Sequence, residues 1–581
     1  MAVLIANIGT SDLAVKRPEG FLPIGFDRNE RCIDYNDLTD QEKTFWSNRE
    51  QNILELCSKT KLNSIIEKNG KKFLSFRILT HRILEIYQQE DKVEALSELI
   101  SPVRILGVIQ KAYHEFNVRK AYLFVTNQQP EQEQDTIYLF AILKIWLNRD
   151  LPDLELIKVE LPKSFQAVDQ DALLNYYYNF FLDLQTTITA DEVILVNTKG
   201  GTPQMQNALK LQSVAIGKQK LLFIDPILSI KQIIAGQPPQ CNLTSYWQYL
   251  RQQKYQTVQQ LLKRWDFDGA IAILESWQKV LSFLQGHQVI DVEKVSKSNE
   301  LVKAVISVLN TGRSLLDCDV EAGRKSLTQL PKAYINQVTK IKEFISLEKY
   351  DNIFNLYTQI MIYRELNKVG NILTVLASFY DVVLTELIKL SGGNKYLNNY
   401  HKLNLEFLRQ DLGEEFYQQN SQIINQLNSR KILDSYSKNQ FIGLLVKYRQ
   451  ENRNIRDLHN WEQELIPLSE GTLPKRNQQV RGLKGLLRTL DYWVKQRNDL
   501  IHEGRGFAID SISELNQIRE NKDNKACTYE SIPELLQLIM NHPLLRLKNY
   551  YKKQFVNTDQ YYIYSEVRDW AIAYLFEDLK N

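Results

Sequence analysis

Short apolar runs alternate with longer amphipathic stretches in the first part of the chain, up to residue 237. Runs this short, bounded by turn residues, are typical of buried strands, whereas the longer stretches repeat apolar residues with the period of a helix. Such alternation predicts a mainly parallel sheet covered by helices. The predicted strands are Val3–Ile8, Ala121–Thr126, Leu154–Leu161, Val193–Asn197 and Leu221–Asp225, and the predicted helices are Asn52–Lys68, Gln132–Leu147, Asp171–Leu184 and Pro203–Ile216.

A change of pattern follows the segment Gly236-Gln-Pro-Pro239, whose paired prolines interrupt both helix and sheet. After it the strand pattern nearly vanishes and helical periodicity continues to the end of the chain. We therefore expect a fold that is α/β at its N-terminus and all-α in its second half. The clearest helical stretches there are Val258–Lys263, Ala270–Phe283, Ile353–Leu390 and Ile532–Met540.

Composition narrows the class of protein. Of the 581 residues, 44% are hydrophobic and 24% charged, and the net charge of +3 excludes a chain coated in positive charge, though not a local basic cleft. The five cysteines are scattered and form no CxxC pair, which argues against a disulfide framework or a zinc site and favours a reduced compartment. With no signal-peptide pattern and no apolar run long enough for a membrane span, we expect a cytoplasmic protein that does not bind membranes.

Small and polar residues follow three of the predicted strands. They are Gly9-Thr10-Ser11, Thr126-Asn127-Gln128 and the segment Asn197-Thr198-Lys199-Gly200-Gly201-Thr202. Ligands of open parallel sheets bind beyond the carboxyl ends of the strands, so these loops are the candidate ligand site. Asp225 also follows a strand, and we interpret it as a cap.

The third of these loops is the most informative. Its two glycines allow a tight turn and a close approach of the backbone to a ligand. Thr202 is expected to cap a helix that begins at Pro203, and the exposed N–H groups at such a helix start favour an anion. Lys199 adds a mobile positive charge. The alternative is a strand–turn–helix joint that binds nothing, since Gly and Thr are common in such joints for geometric reasons alone.

The string Asn197-Thr-Lys-Gly-Gly-Thr-Pro-Gln-Met205, together with Gly9-Thr10-Ser11, resembles the signature of CARF domains. The resemblance implies a Rossmann-like domain that dimerises and binds a cyclic oligoadenylate, of four or six units, across the two-fold axis. The residues it implicates are Gly9, Thr10, Ser11, Asn197, Thr198, Lys199, Gly200, Gly201 and Thr202, to which we add Asn127 on its position alone. Lys199 stands where other forms of the motif have a small residue, which leaves the ring size open.

A second candidate site lies in the segment Gly485–Gly504, which has helical periodicity and a plausible stop at Gly504. From Pro474 to Arg505 the chain carries eight basic and three acidic residues, a local charge that suits RNA phosphate. Arg497, Asn498 and His502 lie near the end of the helix. Alternatively, His502 is a partly buried histidine near a helix end, where the helix dipole favours its charged form, and Arg497 forms an ion pair at the surface.

The helical geometry of this second site raises a question. Asn498 and His502, four residues apart, share a helix face, whereas Arg497 and His502, five apart, do not. Either the helix bends or two copies of the segment assemble one site.

The string Arg497-Asn-x-x-x-His502 resembles the R-x(4–6)-H motif of HEPN ribonucleases. That resemblance implies a composite cleft built from two HEPN domains, which would bring Arg497 and His502 of both subunits together. It also implies metal-independent cleavage of single-stranded RNA, in which the ribose 2′-hydroxyl attacks the adjacent phosphate and leaves 2′,3′-cyclic phosphate and 5′-hydroxyl ends. Histidine suits proton transfer near neutral pH, and arginine suits a phosphate that gains charge. Asn498 would orient its neighbours or the RNA.

Together the two resemblances imply a cyclic-oligoadenylate-activated ribonuclease of type III CRISPR antiviral defence. We expect a CARF-like domain over residues 1–237, a helical linker over 238–360 and a HEPN-like domain over 361–581. The expected partners are single-stranded RNA, the cyclic tetra- or hexa-adenylate activator and a second copy of the chain. The expected link to a type III effector complex is functional, without stable binding, and no metal or other cofactor is expected.

Two other functions remain open at this stage. The chain could be a non-enzymatic cyclic-nucleotide sensor whose helical half recruits a partner, although the intact Arg497/His502 pair argues against it. It could also be a constitutive toxin-like ribonuclease whose α/β domain only dimerises. A slow, self-limiting cleavage of the ring by groups such as Thr10 or Asn127 is a further possibility, because a hydroxyl would lie beside the expected ribose.

Overall fold

The chain divides by internal packing into two units, Met1–Gln253 with Glu275–Asn299, and Lys254–Leu274 with Glu300–Asn581. The predicted domain boundaries after residues 237 and 360 stay predictions. The structure, a computed structural model, describes residues 2–25, 32–33, 35–59, 62–68, 70–90, 97–189, 191–217, 220–346, 352–398, 402–429, 433–452, 483–502, 528–542, 545 and 560–580.

The first unit is built on a mainly parallel sheet with the strand order β12-β11-β10-β1-β8-β9, in which β12 runs antiparallel to β11 and the short β4 also pairs with β11. The strands are β1 Ala2–Asn7, β2 Ala14–Arg17, β3 Gly20–Pro23, β4 Cys32–Ile33, β5 Ile65–Lys68, β6 Lys71–Leu74, β7 Ile100–Ser101, β8 Val118–Val125, β9 Glu155–Glu160, β10 Val193–Asn197, β11 Leu221–Ser229 and β12 Gln240–Thr244.

All five predicted strands are present; four are apolar runs that the sheet buries, whereas β9 is an edge strand with Leu156 as its buried residue. Two details of the prediction are wrong. The predicted helix Asn52–Lys68 ends at Lys59, and its last residues form β5, which pairs with β6 in a hairpin. Beyond the paired prolines the chain still forms β12, whose alternating exposure is typical of an edge strand.

Helices cover both faces of this sheet, as the fold class requires. Helix α4 (Val103–Phe116) packs against β1, β8, β11 and β12. Helices α6 (Gln170–Thr187) and α7 (Pro203–Ala215) pack on the other face, where aromatic and aliphatic side chains such as Phe124, Tyr177 and Phe223 form the core. The helices are α1 Asp40–Ser47, α2 Arg49–Lys59, α3 Phe76–Glu90, α4 Val103–Phe116, α5 Ile137–Asp150, α6 Gln170–Thr187, α7 Pro203–Ala215 and α8 Ile230–Ile234.

From residue 247 onward the described elements are helices, which confirms the all-α character predicted for this half. They are α9 Trp247–Lys263, α10 Phe267–Gly286, α11 Val292–Leu316, α12 Val320–Thr328, α13 Thr339–Phe344, α14 Asn352–Glu365, α15 Val369–Leu390, α16 Leu405–Leu412, α17 Glu414–Gln419, α18 Ser421–Ser429, α19 Ser435–Asn452, α20 Leu483–His502, α21 Ile532–Met540 and α22 Tyr562–Asp578.

The predicted helix Ile353–Leu390 is in fact two helices, α14 and α15. Asn367 between them adopts the left-handed conformation at φ 54°, and its N–H bonds to the carbonyl of Arg364. Asparagine tolerates this conformation better than most residues, so it ends α14 as a glycine would.

By length and apolar composition alone, α15 is the one helix among the described residues that could cross a membrane. It nevertheless packs against α14, α19 and α20 within the second unit. Its Asp381 forms an ion pair with Lys438 of α19, at 2.6 Å. This is the packing of a core helix in a bundle.

Candidate functional site

The carboxyl ends of β1, β8 and β10 lie side by side at one edge of the sheet. Ala6 pairs in parallel register with Asn197, and Asn7 pairs with Phe124. The loops that follow these strands therefore start from the same edge, and the structure brings together the three segments that the sequence singled out.

The first and third loops touch through their backbones. A Cβ atom on Gly9 would lie 2.6 Å from the backbone nitrogen of Gly201, and one on Gly200 would overlap the carbonyl oxygen of Asn7. Gly200 and Gly201 also have positive φ values, +105° and +68°. Glycine is needed at Gly9 for space, at Gly201 for backbone conformation and at Gly200 for both.

The third loop runs into the N-terminus of α7 as predicted. Thr202 is the N-cap, its hydroxyl accepting from the backbone N–H of Met205 at 3.2 Å and donating to the carbonyl of Ala167. Pro203 occupies the first turn, where its missing N–H costs nothing. Because Pro203 has no N–H and that of Met205 bonds to the cap, this helix start offers the backbone N–H of Gln204 to an anion beside the loop junction.

Asn197 is buried and uses its amide group within the protein. Its Nδ2 donates to the carbonyl of Ile224 at 2.8 Å, and its Oδ1 accepts from the backbone N–H of Lys199 at 3.0 Å. Asn197 therefore shapes the loop, while Thr198 and Lys199 are half-buried at its surface.

Beneath the first loop lies a buried ion pair that the sequence reasoning missed. Asp12 accepts from the backbone N–H of Gly9 at 2.7 Å and from Nε of Arg104 at 2.9 Å, and the two side chains are 1% and 5% exposed. A signal did exist, since Arg104 is a lone charge in the otherwise apolar start of α4. Thr10 and Ser11 begin the short 3₁₀ turn above this pair and are half-buried.

Asn127 belongs to a polar network in the loop after β8. Its Oδ1 accepts from Arg77 at 3.1 Å, and its Nδ2 donates to Glu160 at 2.8 Å. This hydrogen bond from Asn127 is the main reason that the pKa of Glu160 lies below its ordinary value. Arg77 also pairs at 3.0 Å with the fully buried Asp135, which fixes the loop.

Asp225 lies on β11 next to the third loop. Its Oδ2 accepts from the hydroxyl of Thr244 at 3.2 Å, while its Oδ1 is buried and has no hydrogen-bond partner among the described residues. Burial raises the pKa of Asp225, and the positive charges of Lys199 and Lys210 oppose that rise. The capping role expected from the sequence is therefore wrong, because Asp225 lies within β11, where its carboxyl group is near enough to Lys199 for that charge to act on its pKa.

The predicted residues of the second site lie on α20, which confirms the helix expected there. Leu483, Leu486, Leu487, Leu490 and Trp493 form its buried stripe. Gly504 and the segment 474–482 lie outside the described residues.

Helical register places the motif residues on two faces of α20. Arg497 comes seven residues after Leu490, in line with the buried stripe, whereas His502 comes seven residues after the exposed Lys495. Asn498 lies between them and shares a face with His502. The structure describes the backbone of these three residues, so their assembly into one site stays a prediction.

Upstream of the motif, α20 is anchored to α15. Burial raises the pKa of Tyr380, and the carboxylate of Asp491 adds to the rise. The hydroxyl of Tyr380 also accepts from Asn439 at 2.6 Å, and Lys495 pairs with Asp491 at 2.6 Å. Of these contacts, the one between Tyr380 and Asp491 joins α15 to α20, whereas Lys495 and Asp491 pair within α20 and Asn439 belongs to α19.

Among the described residues, no group of three or more His, Cys, Asp and Glu side chains is placed to hold a metal ion.

Comparison with known proteins finds similarity among solved structures. No family model matches the chain, and no curated protein matches it. The structure is similar to that of Enterococcus italicus Csm6 bound to cyclic hexa-2′-fluoro-hexa-dAMP, with 14% sequence identity and a TM-score of 0.41. The similarity covers 79% of this chain and 95% of the Csm6 chain.

Proposed function

We propose that this protein is a metal-independent endoribonuclease of type III CRISPR defence that cyclic oligoadenylate switches on. The observation that carries the proposal is the junction of the Gly9–Ser11 and Asn197–Thr202 loops at one sheet edge, beside the start of α7. A chain that carries both this junction and the Arg497/His502 motif has a place for a nucleotide ligand and a place for RNA chemistry.

The ligand site suits a ring of phosphates and bases. The backbone N–H of Gln204 at the start of α7 and the ammonium of Lys199 would bind phosphate oxygens. The half-buried hydroxyls of Thr10 and Ser11 would reach ribose or base edges. Because a cyclic oligoadenylate has rotational symmetry, a second copy of the chain would supply the same groups to the other half of the ring.

In the proposed cleavage step, the RNA ribose 2′-oxygen forms a bond to the adjacent phosphorus, and the bond from phosphorus to the 5′-oxygen breaks. The proton of the 2′-hydroxyl leaves and a proton is delivered to the 5′-oxygen. His502 is the side chain of the motif suited to move a proton near neutral pH, and Arg497 is suited to the charge that grows on the phosphate. DNA would not react, since it lacks the attacking hydroxyl.

Activation requires that the ring bind one conformation of the protein more tightly than another. Arg497 and His502 are five residues apart on α20 and so lie on different faces of a straight helix, which supports a site that a second α20 completes. We infer that ring binding favours the arrangement of two copies in which these groups converge.

Variants of the motif test this function. Arg497→Ala and His502→Ala should each lower ring-stimulated RNA cleavage by about 10²-fold or more, while ring affinity stays unchanged. Matched controls are Arg313→Ala, which removes an exposed arginine paired with Asp268 at 3.4 Å, and His81→Ala, which removes a histidine on the exposed face of α3. Both controls should cleave as the unsubstituted protein does.

The outcomes separate the alternatives. Cleavage by an Arg497→Ala/His502→Ala double variant at the unsubstituted rate would overturn the assignment of the motif. Ring binding without cleavage by the unsubstituted protein would favour the sensor. Cleavage that ignores the ring would favour the constitutive ribonuclease.

A further inference from the structure

A single guanidinium group contacts both loops of the proposed ligand site. From below the first loop, Arg104 donates to Asp12 through Nε at 2.9 Å and through a terminal nitrogen at 3.2 Å. The same terminal nitrogen lies 3.0 Å from where a Cβ atom on Gly200 would be, so the group also lies against the third loop.

The carboxylate of Asp12 completes the connection. It accepts the backbone N–H of Gly9 at 2.7 Å, and the backbone N–H of Asp12 in turn donates to the carbonyl of Gly9 at 3.0 Å. The first loop is thus hydrogen-bonded to a carboxylate that Arg104 holds with two N–H groups. The N–H of Gly9 is consumed in this way, so Gly9 gives the ligand site its shape and no donor.

The position of this pair is unusual for a stabilising interaction. Both side chains are almost fully buried, and removing two charges from water costs about as much as their attraction returns. A well-packed apolar pair would serve stability equally well. An apolar pair could not accept the Gly9 N–H, and it could not hold a guanidinium group in a fixed orientation beside Gly200. This difference favours a positioning role for Arg104 and Asp12.

We propose that Arg104 and Asp12 are positioning residues that hold the first and third loops at the separation needed by the ligand. The inference rests on the proposed function for the identity of the ligand, a cyclic oligoadenylate. The ligand then meets a site that is already shaped, and the pair reduces the conformational freedom that binding would otherwise have to remove.

Replacement of Arg104 by lysine tests the proposal. Lysine keeps the charge but cannot donate to both oxygens of Asp12 from a fixed fork. The ring to be tested is the one that the unsubstituted protein binds. Arg104→Lys should raise the Kd for this ring by at least about tenfold, while the thermal midpoint of the variant stays close to that of the unsubstituted protein.

The matched control is Arg149→Lys. Arg149 makes the same two-nitrogen contact to Asp150, at 2.7 and 3.1 Å, but on an exposed surface. The Arg149→Lys variant should bind the ring with the same Kd as the unsubstituted protein. A folded Arg104→Lys protein that binds the ring within about twofold of normal would overturn the proposal.

Hydrogen exchange measured without any ligand separates this inference from the proposed function. If the pair connects the two loops, Arg104→Lys should speed amide exchange both at Gly9–Asp12 and at Lys199–Thr202. Faster exchange at the first loop alone, or at neither, would contradict the connection. If the unsubstituted protein binds no ring, the proposed function fails, and this exchange pattern still decides the positioning role.

A second variant covers the case in which Arg104→Lys does not fold. In Asp12→Asn/Arg104→Gln, the asparagine oxygen can accept the Gly9 N–H while its amide donates to the glutamine, so no charge is buried. The proposal predicts a folded protein in which amide exchange at Lys199–Thr202 is faster than normal. Normal exchange there would contradict it.

Discussion

Asn7 and Gly200 approach so closely that the carbonyl oxygen of Asn7 occupies the space of any side chain at residue 200. Gly200 also has a φ of +105°, a conformation that L-residues rarely adopt. The close contact between β1 and the third loop therefore depends on the absence of a Cβ atom at this position.

Gly200→Ala should accordingly lose stability and ring affinity together. We expect a loss of about 1–3 kcal/mol from backbone strain, with further loss from the overlap with Asn7. Gly217→Ala is the matched control, because Gly217 has a φ of +66° but nothing within 4 Å of the added Cβ. The control should lose only about 1–2 kcal/mol and keep its ring affinity. Thermal unfolding and ring titration measure the two effects, and equal ring affinity in both variants would contradict the junction as ligand site.

Lys199 should contribute to ring binding through its charge. Lys199→Gln should lower the affinity for the ring. It should also reduce the magnitude of the slope of log affinity against log salt concentration by about 0.7–0.9, which is the contribution of one phosphate contact. Lys220→Gln provides the comparison, since Lys220 precedes β11 at the opposite end of the strand and pairs with Asp191 at 3.0 Å. An unchanged salt slope in Lys199→Gln would remove Lys199 from the site.

Asp225 should make stability fall as the pH rises. Its pKa is raised by burial, so the folded protein holds the proton at pH values where the unfolded chain has released it. The folded state then binds more protons, and stability declines as the pH increases above the ordinary carboxyl range. Asp225→Asn removes this dependence of stability on pH. The difference in thermal midpoint, variant minus unsubstituted protein, should therefore be larger at about pH 8 than at about pH 4.

Asp191→Asn provides a comparison of opposite sign. The hydrogen bond from Lys220 lowers the pKa of Asp191, so its stabilising contribution is present above the ordinary carboxyl range and is lost as the pH falls through the lowered pKa. The midpoint of this variant should fall relative to normal as the pH rises. The same sign for both variants would refute the assignment of the Asp225 shift to burial.

Asn127 should contribute less to ring affinity than its position at the end of β8 suggests. Both atoms of its amide are engaged, with Arg77 and with Glu160, so Asn127→Ala should reduce ring affinity by less than about tenfold. The pKa of Glu160 should rise toward its ordinary value, which carboxyl titration by NMR would detect. The exposed Asn148 gives the control Asn148→Ala. A tenfold or larger loss of affinity in Asn127→Ala would place its amide on the ligand.

Local sequence determines much of this fold. The five apolar strands, the Thr202 cap and the helix α20 were predictable because each depends on periodicity or on neighbours within a few residues. The hairpin β5–β6 was not, because its residues carry a helix-compatible pattern and adopt strand only through pairing with each other.

The candidate site was predictable in outline only. Strand ends with glycines and hydroxyls indicated the loops, but Asp12 and Arg104 are 92 residues apart and meet only through the fold. The same holds for Arg77 and Asn127, which are 50 residues apart. At the second site, sequence and register place Arg497 and His502 on one helix, and their convergence through a second copy of the chain stays a prediction.

In the proposed function, a cyclic oligoadenylate bound near Gly200 and Lys199 switches on RNA cleavage at Arg497 and His502. The most direct measurement incubates the purified protein with a fluorogenic single-stranded RNA and a metal chelator, alone, with cyclic tetra-adenylate and with cyclic hexa-adenylate. We expect cleavage with one ring and none without it, and product ends that are 2′,3′-cyclic phosphate and 5′-hydroxyl. Equal cleavage without any ring, or no cleavage with a ring that demonstrably binds, would contradict it.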